Sequence, residues 1–454
     1  MYTGKHSADI VRIGTGASFS EERIYPGVQL LKYSKLDYLV CECLAERTIA
    51  RETLSRERNP ELGYCPMLEE RMMAFMPLCI EQSVRVVSNM GAANPISAAK
   101  VVQRVGRELG LGDVSCAVVS GDDVTELLKR HPELPLMDNS GPLEQLLPRM
   151  ASANVYLGAD VIAQALDTGA QVVITGRVAD PSLYLGVLLH HFSWSYSDMS
   201  KLAAGLIGGH LSECGTQVTG GYFADPGKKD VPRLADIGYP YIDVTRSGDV
   251  TVSKTPGSGG RVDRMTCTEQ LLYELHDPAN YITPDCVVDV TNISFTEEGK
   301  DRIRVTGVLG KPRTDTYKAV IGYFDGYIGS GEVSFAGPNA VGRARLAAEV
   351  AQERFRLEGG VCTEMQIDLI GINSLHQNIL PHSVPYEVRL RIAGRCPDRR
   401  SALLLGEQVR HMTVQGPCAA GGPINHGARE VLAVASVLVP RKWVKTQVTL
   451  EGMQ

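Results

Sequence analysis

The residues of this chain best suited to move protons are an adjacent acid pair, Asp122-Asp123, and the cluster His210, Glu213 and Cys214. One carboxylate suffices to cap a helix, so two acids directly after Gly121 exceed what a turn requires. His210 and Glu213 lie three residues apart in a helical pattern, hence on neighbouring turns. Adding or removing water beside a carbonyl needs a base, an acid and a holder for enolate-like charge. Asp122 or Asp123 fits the base, and His210 or Glu213 the acid. A structural reading of His210 competes, because Ala203, Leu206, Ile207, His210 and Cys214 also form an apolar helical stripe. No third ligand stands at metal-binding spacing, so no metal site is expected.

Such residues act together only if the fold converges them. The first half alternates β-branched runs with polar loops and capped amphipathic helices. Val84–Val87, Cys116–Val119 and Val172–Ile174 are three of the runs. This pattern predicts an α/β fold, with a mostly parallel sheet and flanking helices. Ligands of parallel sheets bind beyond the strands' carboxyl ends, where loops meet helix N-termini. That rule selects Asn89–Pro95, Gly121–Asp123 and Gly176–Asp180. Asn89, Asn94, Arg177 and Asp180 are therefore expected to bind substrate, with Arg177 and the loop amides holding a carboxylate or enolate oxygen. Asn94 and Asp180 also stand where helix caps belong, each before a proline.

From about Asp225 short strands dominate, and a smaller α+β domain is expected over 229–454 after an α/β domain over 1–228. In the second part Gly259, Gly260 and Arg261 could lay amides and a charge against an anion. Gly14 and Gly16 begin a dinucleotide fingerprint, but Phe19 fills its third position and Pro26-Gly27 argues against a following helix. No P-loop and no G-x-S-x-G elbow exists, so no cofactor is expected.

The 46 basic and 52 acidic residues leave a net charge of −6. That balance offers nucleic acid or anionic lipid no basic stripe. Met1–Gly16 shows no secretory pattern, and the longest apolar run, Val431–Val439, is too short to span a bilayer. With eleven scattered cysteines, a reduced, cytoplasmic protein is expected.

Several segments together resemble the acyclic terpene utilisation protein AtuA family. They are LDYLVCECLAERTIA (36–50), NMGAANP (89–95), GRVADPS (176–182), GHLSECGTQVTGG (209–221), YFADPG (222–227), PGSGGRVD (256–263), QLLYELHDP (270–278) and YIGSGEVSFAGP (327–338). The resemblance implies a cytosolic protein of carboxylate or acyclic terpenoid catabolism, whose intermediates are acids or their coenzyme A thioesters. The expected function is a hydratase/dehydratase-type lyase acting on a small carboxylic acid or acyl-CoA. The alternative is a non-catalytic ligand-binding subunit or scaffold for a partner enzyme. A homo-oligomer is expected, with a small partner subunit as a further expectation; some relatives carry an additional small C-terminal domain, which this chain is expected to lack.

Overall fold

The computed structural model describes residues 9–376 and 384–452. Its first strands are β1 (Ile10–Ala17), β2 (Tyr38–Cys41), β3 (Arg85–Ser88), β4 (Cys116–Ser120), β5 (Met150–Val155), β6 (Val172–Thr175), β7 (Pro240–Thr245) and β8 (Val250–Lys254). The helices of this region are α1 (Tyr25–Tyr33), α2 (Glu46–Arg58), α3 (Leu68–Glu81), α4 (Pro95–Glu108), α5 (Thr125–Lys129), α6 (Ala159–Asp167), α7 (Asp180–Phe192), α8 (Met199–Glu213) and α9 (Arg264–Leu272).

Strands β1, β2, β3, β6 and β4 lie side by side in that order, all parallel. They read as near-continuous apolar runs because both faces are covered. On one face Leu39, Val86, Val118 and Ile174 share a core with Met72 and Phe75 of α3 and Ala98, Val102 and Val105 of α4. Side chains alternate along β1, so Thr15 points the other way. Its hydroxyl meets the Tyr184 hydroxyl of α7 at 2.7 Å and donates to the Ser212 carbonyl of α8 at 2.9 Å.

The sheet is mixed rather than mostly parallel. β7 adds antiparallel to the free edge of β1, followed by β8 and the strands Arg302–Thr306 and Ser294–Gly299. At the other edge Gln447–Glu451 pairs antiparallel with β4. The change of texture near Asp225 therefore marks a switch in strand direction within one sheet. It is not the limit of a compact unit. The chain divides into residues 1–322 with 434–454, and residues 323–433, not at 228/229. In the second unit Val333, Phe335, Leu390 and Ile392 of an antiparallel sheet pack against Ala344, Ala347, Ala351 and Phe355 of the helix Ala340–Leu357.

Helix starts follow local chemistry. Asn94 accepts from the Ser97 amide at 3.3 Å, and Pro95 opens α4 without losing a bond. Asp198 caps α8 in the same way. α1 begins with Pro26 in its first turn, so the Pro26-Gly27 pair opens a helix where the sequence argued against one. Gly14 and Gly16 lie within β1; Gly14 packs against Leu36 and Leu30 and forms no phosphate loop.

The β4 edge depends on one glycine. Gly121 has φ +106°, and a Cβ there would stand 2.2 Å from the Lys445 carbonyl oxygen, just before the closing strand. Gly121→Ala is expected to cost about 2 kcal/mol or more, seen as a lower urea midpoint. An unchanged midpoint would contradict this packing.

Candidate functional site

Four neighbouring parallel strands deliver the site. Glu42 follows β2, Asn89 follows β3, Arg177 follows β6 by two residues and Asp122 follows β4 by two. Convergence at the carboxyl ends is what the parallel arrangement favours. Gly176 makes the approach possible, because the Asp122 carboxylate occupies the place of its missing side chain, 2.5 Å from where a Cβ would sit. Asp122 accepts from the Arg177 amide at 2.8 Å and from the Asn154 side chain at 2.9 Å.

The Arg177 side chain is buried at 1% exposure. Its guanidinium donates to the Leu44 carbonyl, to the Asp180 carboxylate and, at 3.0 Å, to the Val178 carbonyl. The Tyr156 ring lies 4.4 Å from it, ring centre to guanidinium carbon, adding a cation–π contact. Every face of the charge is thus in use.

Carboxyl groups gather around it in different protonation states. Burial and the Asp180 charge push Glu42 up to about 8, against Arg177 and a 2.9 Å bond from Asn89. Burial likewise pushes Asp180 up to about 6, and Arg177 limits the rise. Burial also opposes the charge on Glu46, yet the Tyr156 hydroxyl, donating at 2.6 Å, and the charges of Arg177 and Lys318 hold it below its usual value. Glu213 is raised well above its usual value by burial and by Asp180 and Glu274. Burial lowers His210. His210 Nε2 faces the Leu271 carbonyl at 3.1 Å and can only donate there. Neutral His210 then accepts at Nδ1 from protonated Glu213, 3.2 Å away.

Asp180 borders a cleft of about 400 Å³, where its side chain is 32% exposed. Glu46, Tyr156, Glu274, Tyr281 and Lys318 share the lining with apolar Met137, Pro181, Ile282 and Leu438. Lys318 stands 4.0 Å from Glu46 and 5.2 Å from the Tyr156 ring centre. His210 does not line the cleft but lies behind Tyr281, whose ring is 5.3 Å from its own.

The sequence-selected residues thus separate. Asn89, Asp122, Arg177, Asp180, His210 and Glu213 converge around the buried guanidinium or directly behind the cleft. Asp180 is no helix cap, since α7 starts at it and its carboxylate turns to Arg177. Asp123 points away from Asp122. It caps the Thr125 amide at 3.0 Å, pairs with Arg56 at 3.5 Å and lines an open groove that shares no residue with the cleft. Asn94 is consumed by its cap and by the Pro60 and Leu62 carbonyls. Gly259 and Gly260 give their amides to the Asp236 and Pro232 carbonyls, and Arg261 pairs with Asp263, so the groups expected to meet an anion are already bound within the protein. Sequence reasoning did not select Glu42, Glu46, Tyr156, Glu274, Tyr281 or Lys318. The loop-end rule would have reached Glu42, which directly follows the run Tyr38–Cys41.

Among the described residues no group of three or more histidine, cysteine or acidic side chains is placed to hold a metal ion. None of their helices is long and apolar enough to cross a membrane.

Fold and site together define an α/β protein with an acid-lined cleft at the carboxyl ends of its parallel strands. The chain belongs to the acyclic terpene utilisation AtuA family, whose profile matches residues 11–450. That membership implies a role in acyclic terpene utilisation. No curated protein and no solved structure matches the chain.

The Glu42 shift has a definite sign. Its folded value lies above its unfolded one, so its contribution is complete below about pH 4.5 and is lost as pH rises through about 8. Glu42→Gln is therefore expected to gain stability on wild type as pH rises from about 5 to 8, by a few kcal/mol at most. Urea unfolding across that range measures the difference. A pH-independent difference would contradict a protonated Glu42.

Proposed function

We propose that this protein is an enzyme of carboxylate and acyclic terpenoid catabolism. It is a hydratase/dehydratase-type lyase acting on a small carboxylic acid or acyl thioester at the Asp180 cleft. The observation that carries this reading is Asp180 itself. Its carboxyl is open to the cleft, held from behind by a buried guanidinium and tuned to about 6. A group that transfers protons works best with a pKa near the operating pH.

In the dehydration direction the Asp180 carboxylate removes a proton from the carbon beside the carbonyl. The developing negative charge moves to the carbonyl oxygen, which the Lys318 ammonium can stabilise. Asp180 then returns the proton to the departing hydroxyl, leaving water and a carbon–carbon double bond. In this reading Asp122, His210 and Glu213 support the machinery rather than meet substrate. Met137, Pro181, Ile282 and Leu438 offer an acyl chain its apolar surface. Glu46, Asp180 and Glu274 outnumber Lys318 on the cleft wall, which favours an uncharged thioester over a free carboxylate.

Hydration of α,β-unsaturated acyl thioesters and free acids by the purified protein tests the proposal. Asp180→Asn should lower kcat/KM by about 10²- to 10⁴-fold with the fold intact. The acid limb of the wild-type profile, near pH 6, should be lost with it. Folded wild type that turns over neither class would contradict the enzyme reading. A stable complex with a partner enzyme whose activity survives Asp180→Asn would favour the ligand-binding subunit instead.

A further inference from the structure

A second buried arginine lies behind the site, with no carboxylate partner among the described residues. Arg71 of α3 is fully buried. Its Nη2 donates to the carbonyls of Ser20 at 3.4 Å and Glu22 at 3.1 Å. Its Nη1 faces three sulfur atoms: Cys43 Sγ at 3.3 Å, Met90 Sδ at 3.6 Å and Cys65 Sγ at 3.8 Å. Its Nε has no hydrogen-bond partner. The acids of this neighbourhood are engaged elsewhere. The Glu22 carboxylate takes the Ser18 hydroxyl at 2.8 Å, and Glu42 is bound to Asn89 and the Leu44 amide.

A guanidinium keeps its proton in proteins. Burying one without a counter-charge costs several kcal/mol. Thiols are weak acceptors, whereas a thiolate is an anion. We propose that the Cys43–Cys65 pair holds one thiolate in the folded protein, the buried counter-ion of Arg71, and that this ion pair positions the Glu42–Leu44 turn of the candidate site.

Cys43 lies nearer Arg71, at 3.3 Å against 3.8 Å, but the Ser20 hydroxyl faces Cys65 alone, which favours Cys65 as the charged member. The Cys43 thiol, the Ser20 hydroxyl at 3.4 Å and Arg71 all favour a Cys65 anion, lowering it to about 6 against the effect of burial. Cys43 is pushed up by burial and by Cys65 and so keeps its proton. Burial and the neighbouring Cys65 and Glu22 push Cys41 up to about 12, so it keeps its proton, as does the Tyr239 hydroxyl, which donates to the Arg23 carbonyl at 3.2 Å. The link to the site is short. The Cys43 amide donates to Asn89 at 2.7 Å, Glu42 on one side accepts from Asn89, and the Leu44 carbonyl on the other side accepts from Arg177. Arg71 is thus a positioning residue that acts through Cys43. The sign is that of a depressed acid: its stabilisation is complete above about pH 9 and is lost as pH falls through about 6.

The test uses the full-length chain and does not depend on any reaction. Thiolate ultraviolet absorption is followed during acid titration while far-UV circular dichroism confirms the fold. The expected result is one thiolate per chain, lost with a midpoint near pH 6, retained in Cys116→Ser and missing in Cys65→Ser and Arg71→Met. In Arg71→Met, hydrogen exchange should speed up by about tenfold or more in peptides covering residues 42–44. Peptides from Ala340–Leu357 should be unaffected, and the double variant Arg71→Met/Cys65→Ala should exchange at 42–44 no more slowly than Arg71→Met. Folded wild type with no titrating thiolate overturns the proposal whether or not the variants fold. So does a thiolate that persists in Cys65→Ser, or exchange at 42–44 that Arg71→Met leaves unchanged.

Discussion

A guanidinium that cannot shed its proton, enclosed where four parallel strands end, is the constraint on which the rest of the site depends. Arg177 needs acceptors on every side, and the chain supplies them from the turns after β2 and β6 and from the start of α7. Asp122 completes the arrangement by fixing the arginine's own backbone. One charge cannot balance all the acids around it. Those deepest, Glu42 and Glu213, stay protonated, whereas Glu46, nearer solvent and bonded to Tyr156, is ionised. Asp180 lies between these limits, both against the guanidinium and open to the cleft. That intermediate placement suits a group that must gain and lose a proton near neutral pH.

The same economy recurs a few residues away. Arg71 occupies the layer beneath the β2 turn, and sulfur atoms stand where carboxylates would be expected. The two arginines grip the same three-residue segment, one through Cys43 and the other through Leu44. Glu42 lies directly between β2 and that segment, and the Arg177 charge acts on it.

Much of this was legible in the sequence, for reasons that can be named. Asn94-Pro95 and the Ala98, Val102, Val105 spacing announced α4, because capping and helical periodicity are local. The carboxyl-end rule located Asn89, Arg177 and Asp180 because parallel strands place their following loops on one edge. What sequence could not show was which way neighbouring side chains turn. Asp122 and Asp123 are adjacent, yet one enters the space left by Gly176 and the other accepts the Thr125 amide at a different groove. Gly259 and Gly260 looked like an open amide cradle, and only tertiary contact shows their amides already bound. Long-range pairing was hidden as well. β7 and Gln447–Glu451 join opposite edges of the first sheet from positions far along the chain, so the change in local texture at Asp225 resembled a domain boundary. Tyr156, Glu274 and Lys318 reach the cleft from segments with no catalytic pattern of their own.

The central claim is that burial around Arg177 keeps some of its acids protonated at neutral pH. Infrared spectroscopy of the carboxyl C=O stretch reads that directly. The account predicts protonated-carboxyl absorption in folded wild type at neutral pH, diminished in Glu42→Gln and again in Glu213→Gln, and strengthened in Arg177→Gln as Asp180 takes up a proton. A folded wild-type protein showing no protonated-carboxyl absorption at neutral pH would contradict it.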